Sequence, residues 1–146
     1  MLEFYSPKVS RLKRRGDVAG LVEALQASSP RVRRAAANAL IERSDLRAVD
    51  PLVKALEDDD AVVRANAALA LGEIEDHRAE TPVAATVDPL LDALGDDDPT
   101  VRAMAASALG RRKDERAVAP LERLLDDEDE AVRNTATAVL HSFRTA

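Results

Sequence analysis

The sequence predicts an all-α protein, a right-handed α-solenoid of about four helix pairs closed at its N-terminal end by half a pair. Three observations predict it. Four segments align without internal gaps: Gly20–Leu25, Pro51–Leu56, Pro89–Leu94 and Pro120–Leu125. Each is followed, seven residues after its last Leu, by a Val-Arg pair: Val32-Arg33, Val63-Arg64, Val101-Arg102 and Val132-Arg133. Internal repetition at this period marks a stacked architecture. Third, the composition is aliphatic: the aromatic residues are Phe4, Tyr5 and Phe143, all near the ends, whereas Ala, Leu and Val recur throughout. Such residues favour closely packed helices over strands.

The elements follow in chain order. Ser6-Pro7-Lys8-Val9 copies Ser29-Pro30-Arg31-Val32, so a helix from Pro7 to about Arg14 reads as half a repeat capping the stack, residues 1–16. The repeats span about 17–46, 47–77, 84–114 and 115–146, within a single domain. In each, a first helix carries the Leu stripe. A turn rich in Asp follows in units two to four. In the second helix the Arg precedes Ala by three residues and Leu by seven: Ala36/Leu40, Ala67/Leu71, Ala105/Leu109 and Ala136/Leu140. Offsets of three, four and seven lie on one helical face.

Local signals agree. Ser29, Asp60, Asp98 and Asp129 stand where an N-cap is wanted, and Pro30 and Pro99 occupy first helical turns, where a missing N–H costs nothing. Gly72 and Gly110 are expected to end two second helices. Spacing between the repeated Arg residues is 31, 38 and 31. The extra seven residues fall around 77–83, where Pro82 and polar residues interrupt the periodicity. A longer loop between units two and three is therefore expected.

Tetratricopeptide and ankyrin repeats are also helix pairs, but their Trp/Tyr and Thr-Pro-Leu-His markers are absent from this sequence. Three features resemble HEAT repeats: Pro in the first helix (Pro51, Pro89, Pro120), an acid in the turn six residues before the Arg (Asp58, Asp96, Asp127), and that Arg itself. The unit of about 31 residues, Val-Arg-x-x-Ala-Ala and the Ala-Leu-Gly endings resemble the short, phycobilisome-lyase-like HEAT subclass, from Asp17 to Phe143. The resemblance implies that Asp58, Arg64, Asp96, Arg102, Asp127 and Arg133 form a structural ladder between repeats. The end units depart from the pattern: Gly20 replaces Pro, Ala27 the turn acid and Ile41 the Gly in unit one, and His141 the Gly in unit four. Terminal repeats commonly diverge in this way.

Composition limits the chemistry. The 146 residues contain no Cys, which excludes disulfides, thiolate metal sites and a Cys nucleophile. No apolar run approaches the roughly 20 residues of a membrane span, and Met1–Tyr5 is too short and acidic to resemble a signal peptide, so a cytoplasmic protein is expected. The two His residues, His77 and His141, stand in unlike contexts. Metal-dependent HEAT enzymes use paired His-Glu motifs, and zinc catalysis needs about three protein ligands, so no metal or other cofactor is expected. His77 follows Glu73, Glu75 and Asp76 and reads as a solvated loop residue; His141 reads as a packing or capping residue. Asp58–Asp60, Asp96–Asp98 and Asp126–Asp129 lack the Gly and bidentate Glu of a calcium loop and sit where a helix macrodipole stabilises negative charge. Phosphate loops and nucleophile elbows are absent, so no catalytic residue is assigned.

Binding is the remaining class of function. The second helices should form an extended surface, and the positions between their packing residues give candidate partner contacts: Arg34, Asn38, Asn66, Leu69, Glu73, Met104, Ser107, Arg111 and Asn134. This mosaic of small, amide and apolar groups suits another protein. Charge is split along the chain: residues 1–47 carry +5 and residues 48–146 carry −11, for a net −6. The basic end offers a patch of Lys8, Arg11, Arg14, Arg15 and Arg31. Nucleic acid bound there is the first alternative, an acidic partner or a second copy docked head to tail another, and an accessory role in a bilin-lyase-like enzyme a third. No membrane partner is expected. The sequence thus reads as a non-catalytic scaffold or adaptor.

Overall fold

The computed structural model describes residues 6–74 and 84–145. It is an α-solenoid. Among the described residues the α-helices are α1 (Pro7–Arg15), α2 (Val18–Ala24), α3 (Pro30–Ile41), α4 (Val49–Ala55), α5 (Ala61–Glu73), α6 (Val87–Ala93), α7 (Pro99–Arg112), α8 (Val118–Arg123) and α9 (Glu130–Arg144), with no strand. The first helices α2, α4, α6 and α8 are short; the second helices α3, α5, α7 and α9 are about twice their length and pack side by side in chain order. Each unit therefore contacts mainly its neighbours, and stability is the sum of unit and joint terms.

The repeated stripe becomes the core. Leu21, Leu52, Leu90 and Leu121 of the first helices, together with Val63, Val101, Val132, Ala36, Ala67, Ala105 and Ala136 of the second, are all 0 % exposed. At about 1.5–3 kcal/mol for burying a large aliphatic side chain, this stripe is the main favourable contribution to the fold.

The caps form as the sequence implies, with one exception. Asp60 accepts from Val63 N–H, Asp98 from Thr100 and Val101 N–H, and Asp129 from Val132 N–H. Ser29 makes no such side-chain bond. Gly16, at φ +66°, closes α1, with its own N–H donating to Lys13 C=O and Asp17 N–H to Leu12 C=O. The first helices of units two and four share an opening. A single 3-10 turn precedes each, opened by Asp45 or Asp114, whose carboxylate accepts from the N–H of Arg47 or Arg116 and pairs with that residue's guanidinium. The repeated Asp-x-Arg-Ala-Val was the available signal.

Gly72 and Gly110 do not end their helices. α5 continues to Glu73, and α7 to Arg112, where Lys113 takes the left-handed conformation. Both glycines lie where two second helices approach closely: a Cβ on Gly72 would stand 2.9 Å from the Cα and Cβ of Ala108, and one on Gly110 2.9 Å from Val139 Cγ1. Clearance, and not capping, is what these positions require. The inserted segment around 77–83, with His77, lies outside the described residues.

Candidate binding surface

The Arg of each second helix uses its guanidinium in two directions. Nη1 of Arg33, Arg64, Arg102 and Arg133 donates to the backbone carbonyl six residues earlier, on Ala27, Asp58, Asp96 and Asp127 respectively, at 2.7–2.9 Å. In the first three, Nε and Nη2 then grip both oxygens of an Asp in the following unit: Arg33 holds Asp58, Arg64 holds Asp96, and Arg102 holds Asp127, with contacts of 2.9–3.2 Å. Each of these Asp residues also accepts the N–H two residues on, at Asp60, Asp98 and Asp129. The rungs are bidentate, charge-assisted and largely shielded.

This geometry revises the membership of the ladder. Arg33 belongs to it as the donor to Asp58. Arg133 keeps the carbonyl contacts but makes no ion pair among the described residues. It also explains Ala27: only the backbone of that residue is used, and the cap has Ser10 in the place of a preceding Arg, so no rung reaches a side chain there.

A second tie binds units one and two. Arg34 Nε donates to both oxygens of the cap residue Asp60 at 3.0 Å, so this proposed partner contact is engaged inside the protein. Glu73 and Arg111, also partner candidates, pair with each other at 2.9 Å. Beside them Arg112 donates to the C=O groups of Ile74 and Leu71, closing the end of α5. Ser44 Oγ donates to Glu73 C=O, and Lys113 Nζ donates to Ser142 C=O while lying over the Phe143 ring. These helix-end ties had little sequence signal, because each depends on a neighbouring unit's backbone.

Arginine hydrogen bonds hold the Asp60 and Asp127 carboxyls below their ordinary range; at Asp96 burial opposes ionisation, and Arg64 with the Asp98 N–H overcomes it. Folded-state values below the unfolded ones contribute stability that is fully present above the unfolded value of about 4 and is lost as pH falls through the lowered folded values. The melting temperature should therefore hold between about pH 7 and 5 and fall below about pH 4. An acid-limb titration by circular dichroism checks this.

The remaining candidates form the surface. Asn38, Asn66, Leu69, Met104 and Ser107 are half-buried on α3, α5 and α7, and Asn134 is exposed on α9. Asn66 Nδ2 lies 3.4 Å from Arg34 C=O. Because the rung arginines and aspartates satisfy one another, this surface is small, amide-bearing and apolar. Lys8, Arg11, Arg14, Arg15 and Arg31 are all exposed at the other end, on α1 and the start of α3. An open groove of about 550 Å³ lies between the first two units, lined by Leu25, Arg33, Pro51, Lys54 and Asp58 among others, on the side of the first helices. Among the described residues no cluster of three His, Cys, Asp or Glu side chains is placed to hold a metal. Nor is any helix among them long and apolar enough to cross a membrane.

Comparison with known proteins agrees with this architecture. The protein is similar in fold to the CpcE–CpcF complex of phycocyanin lyase from Nostoc sp. PCC7120, with 24 % identity and a TM-score of 0.78 over 90 % of this chain and 85 % of that one. A designed armadillo repeat protein in complex with the peptide (KR)4 shares 23 % identity and a TM-score of 0.75 over 92 % of this chain and 67 % of that one. Human deoxyhypusine hydroxylase, in a complex with glycerol, shares 28 % identity at a TM-score of 0.69; the match covers 89 % of this chain but 44 % of the hydroxylase. No curated protein matches at the sequence level. The HEAT repeat model matches residues 18–85 and 79–141. The chain belongs to the HEAT repeat family.

Proposed function

We propose that the protein is a non-catalytic scaffold that binds another protein on the surface formed by α3, α5, α7 and α9. The observation that carries this reading is the separation of roles on the second helices. Arg33, Arg34, Arg64, Arg102 and the Glu73–Arg111 pair are engaged between units, while Asn38, Asn66, Leu69, Met104 and Ser107 form a half-buried strip with small and apolar chemistry. Such mixed strips, low in charge, resemble the centres of protein interfaces. The fold is one commonly used for binding, and the armadillo neighbour is itself a peptide complex.

A second reading rests on the exposed cations of α1. Lys8, Arg11, Arg14 and Arg15 fall on one face of that helix, a suitable footprint for nucleic-acid phosphate. An accessory role beside a catalytic subunit, suggested by likeness to a lyase complex, is one form of the scaffold reading.

One experiment separates the readings. The protein is immobilised and exposed to host lysate with and without nuclease, beside a Leu69→Glu/Met104→Glu variant and a variant with Lys8, Arg11, Arg14 and Arg15 changed to Glu. The expected result is a stoichiometric protein, insensitive to nuclease, whose retention falls at least about tenfold in the Leu69/Met104 variant, the loss of roughly 1.4 kcal/mol or more at a contact residue. Both variants should keep the wild-type circular dichroism spectrum. Retention of nucleic acid alone, abolished by the α1 variant, would favour the second reading.

A further inference from the structure

The end of the arginine ladder points to a site. Arg133 holds the same pose as the three arginines that precede it: Nη1 donates to Asp127 C=O at 2.7 Å and to Glu128 C=O at 3.1 Å. Arg102 is fixed in the same way, on Asp96 C=O at 2.8 Å and Asp97 C=O at 3.1 Å. In Arg33, Arg64 and Arg102 this anchoring presents Nε and Nη2 to a carboxylate. In Arg133 those two groups meet no acceptor among the described residues. A guanidinium already held by backbone carbonyls has lost part of its rotamer freedom, so a carboxylate docking on it incurs less ordering cost than on a mobile surface Arg.

The surrounding face tells what kind of carboxylate. The side that each second helix turns to its successor carries Ala65, Ala68 and Gly72 on α5 and Ala103, Ala106 and Gly110 on α7, all buried. On α9 the corresponding residues are Asn134, Thr137 and His141, all exposed. Their side chains are polar where those of α5 and α7 are small and apolar. They offer hydrogen-bonding groups instead. A second copy docked head to tail does not supply the rung, because the cap that it would present to α9 has Phe4 at the position of the acid. The acidic turn Asp127–Glu130 carries one carboxylate more than Asp58–Asp60, and Arg64, which follows that turn, still holds Asp96.

We propose that Arg133 is a carboxylate-binding site for an extended acidic peptide segment that crosses the outer face of α9, with Asn134, Thr137 and His141 as polar contacts. The carboxylate is either an Asp/Glu side chain or a chain terminus. The site lies on the side of α9 that carries Asn134, Thr137 and His141, apart from the Leu69/Met104 strip, so the two proposals fail independently.

The test observes arginine Nε–Hε signals by NMR while three probes are titrated: Ac-Gly-Asp-Gly-NH2, Ac-Gly-Gly-Gly-OH and, as control, Ac-Gly-Asn-Gly-NH2. Loss of one signal in Arg133→Lys assigns Arg133. The expected result is a saturating shift of Arg133 with one or both carboxylate probes, none with the control, and unmoved Arg64 and Arg102. Which probe works identifies the source of the carboxylate. In Arg133→Ala, which has no ion pair to lose, the Asn134 and Thr137 amides should no longer shift. The proposal is overturned if Arg133 stays unmoved, or if it shifts only linearly and in step with the exposed Arg14 and Arg123.

Discussion

Replacing Arg102 by Ala is expected to lower stability by about 3–5 kcal/mol, the usual cost of removing one partner from a shielded ion pair. Arg102 and Asp127 have side chains only 10 % and 9 % exposed. Without the guanidinium, the Asp127 carboxylate keeps the Asp129 N–H but loses both arginine contacts, and the Asp96 and Asp97 carbonyls lose a shared donor. Arg102→Lys should fall between, because an ammonium reaches the charge but not the two-pronged geometry. Arg133→Ala is the internal control: with carbonyl contacts alone at stake, it should cost about 1 kcal/mol. Urea unfolding of the three variants measures the order, and equal losses for Arg102→Ala and Arg133→Ala would contradict the assignment of rungs. Binding of a partner at the Leu69/Met104 strip should change less than the melting temperature does.

Gly72→Val should be destabilising by about 3 kcal/mol, at the upper end of overpacking costs. The new Cβ would stand 2.9 Å from the Cα as well as the Cβ of Ala108. Backbone has to move for it to fit, so α5 and α7 must separate at the joint that also carries Arg64–Asp96 and Glu73–Arg111. Gly110→Val is the milder case, at about 1–2 kcal/mol, because the facing atoms belong to the Val139 side chain. Thermal melts rank the two; a Gly72 variant as stable as wild type would show that α5 and α7 are not held at this distance.

These two sites also show what the sequence made legible. Helix pairs, stripe and joints could be read because one residue pattern occurs four times, and each occurrence checks the others. Asp60, Asp98 and Asp129 were readable as caps because capping is local. Gly72 and Gly110 were misread for the opposite reason: a glycine near a helix end looks like a terminator, while the Ala108 and Val139 contacts that demand it come from another unit. Likewise the Arg and the Asp of each motif were visible, but not that the Arg serves its own turn through a carbonyl and the next turn through a carboxylate. That division removed Arg133 from the rungs and brought Arg33 in.

The candidate surface was legible only in part. Asn38, Asn66, Leu69, Met104 and Ser107 do fall together on the second helices, since helical spacing alone puts them there. Arg34, Glu73 and Arg111 share that spacing but are tied to Asp60 or to each other. Spacing places a side chain on a face; it does not say whether a neighbouring unit has already engaged its charge.

The most direct test of the scaffold reading is site-specific photo-crosslinking. A benzophenone amino acid is placed at position 104, on the second-helix surface, or at position 92, on the exposed side of α6, and the protein is irradiated with the partner retained from lysate. The scaffold reading predicts crosslinking from position 104 and little from position 92. Crosslinking from position 92 with none from position 104 would contradict it and move binding to the first-helix side.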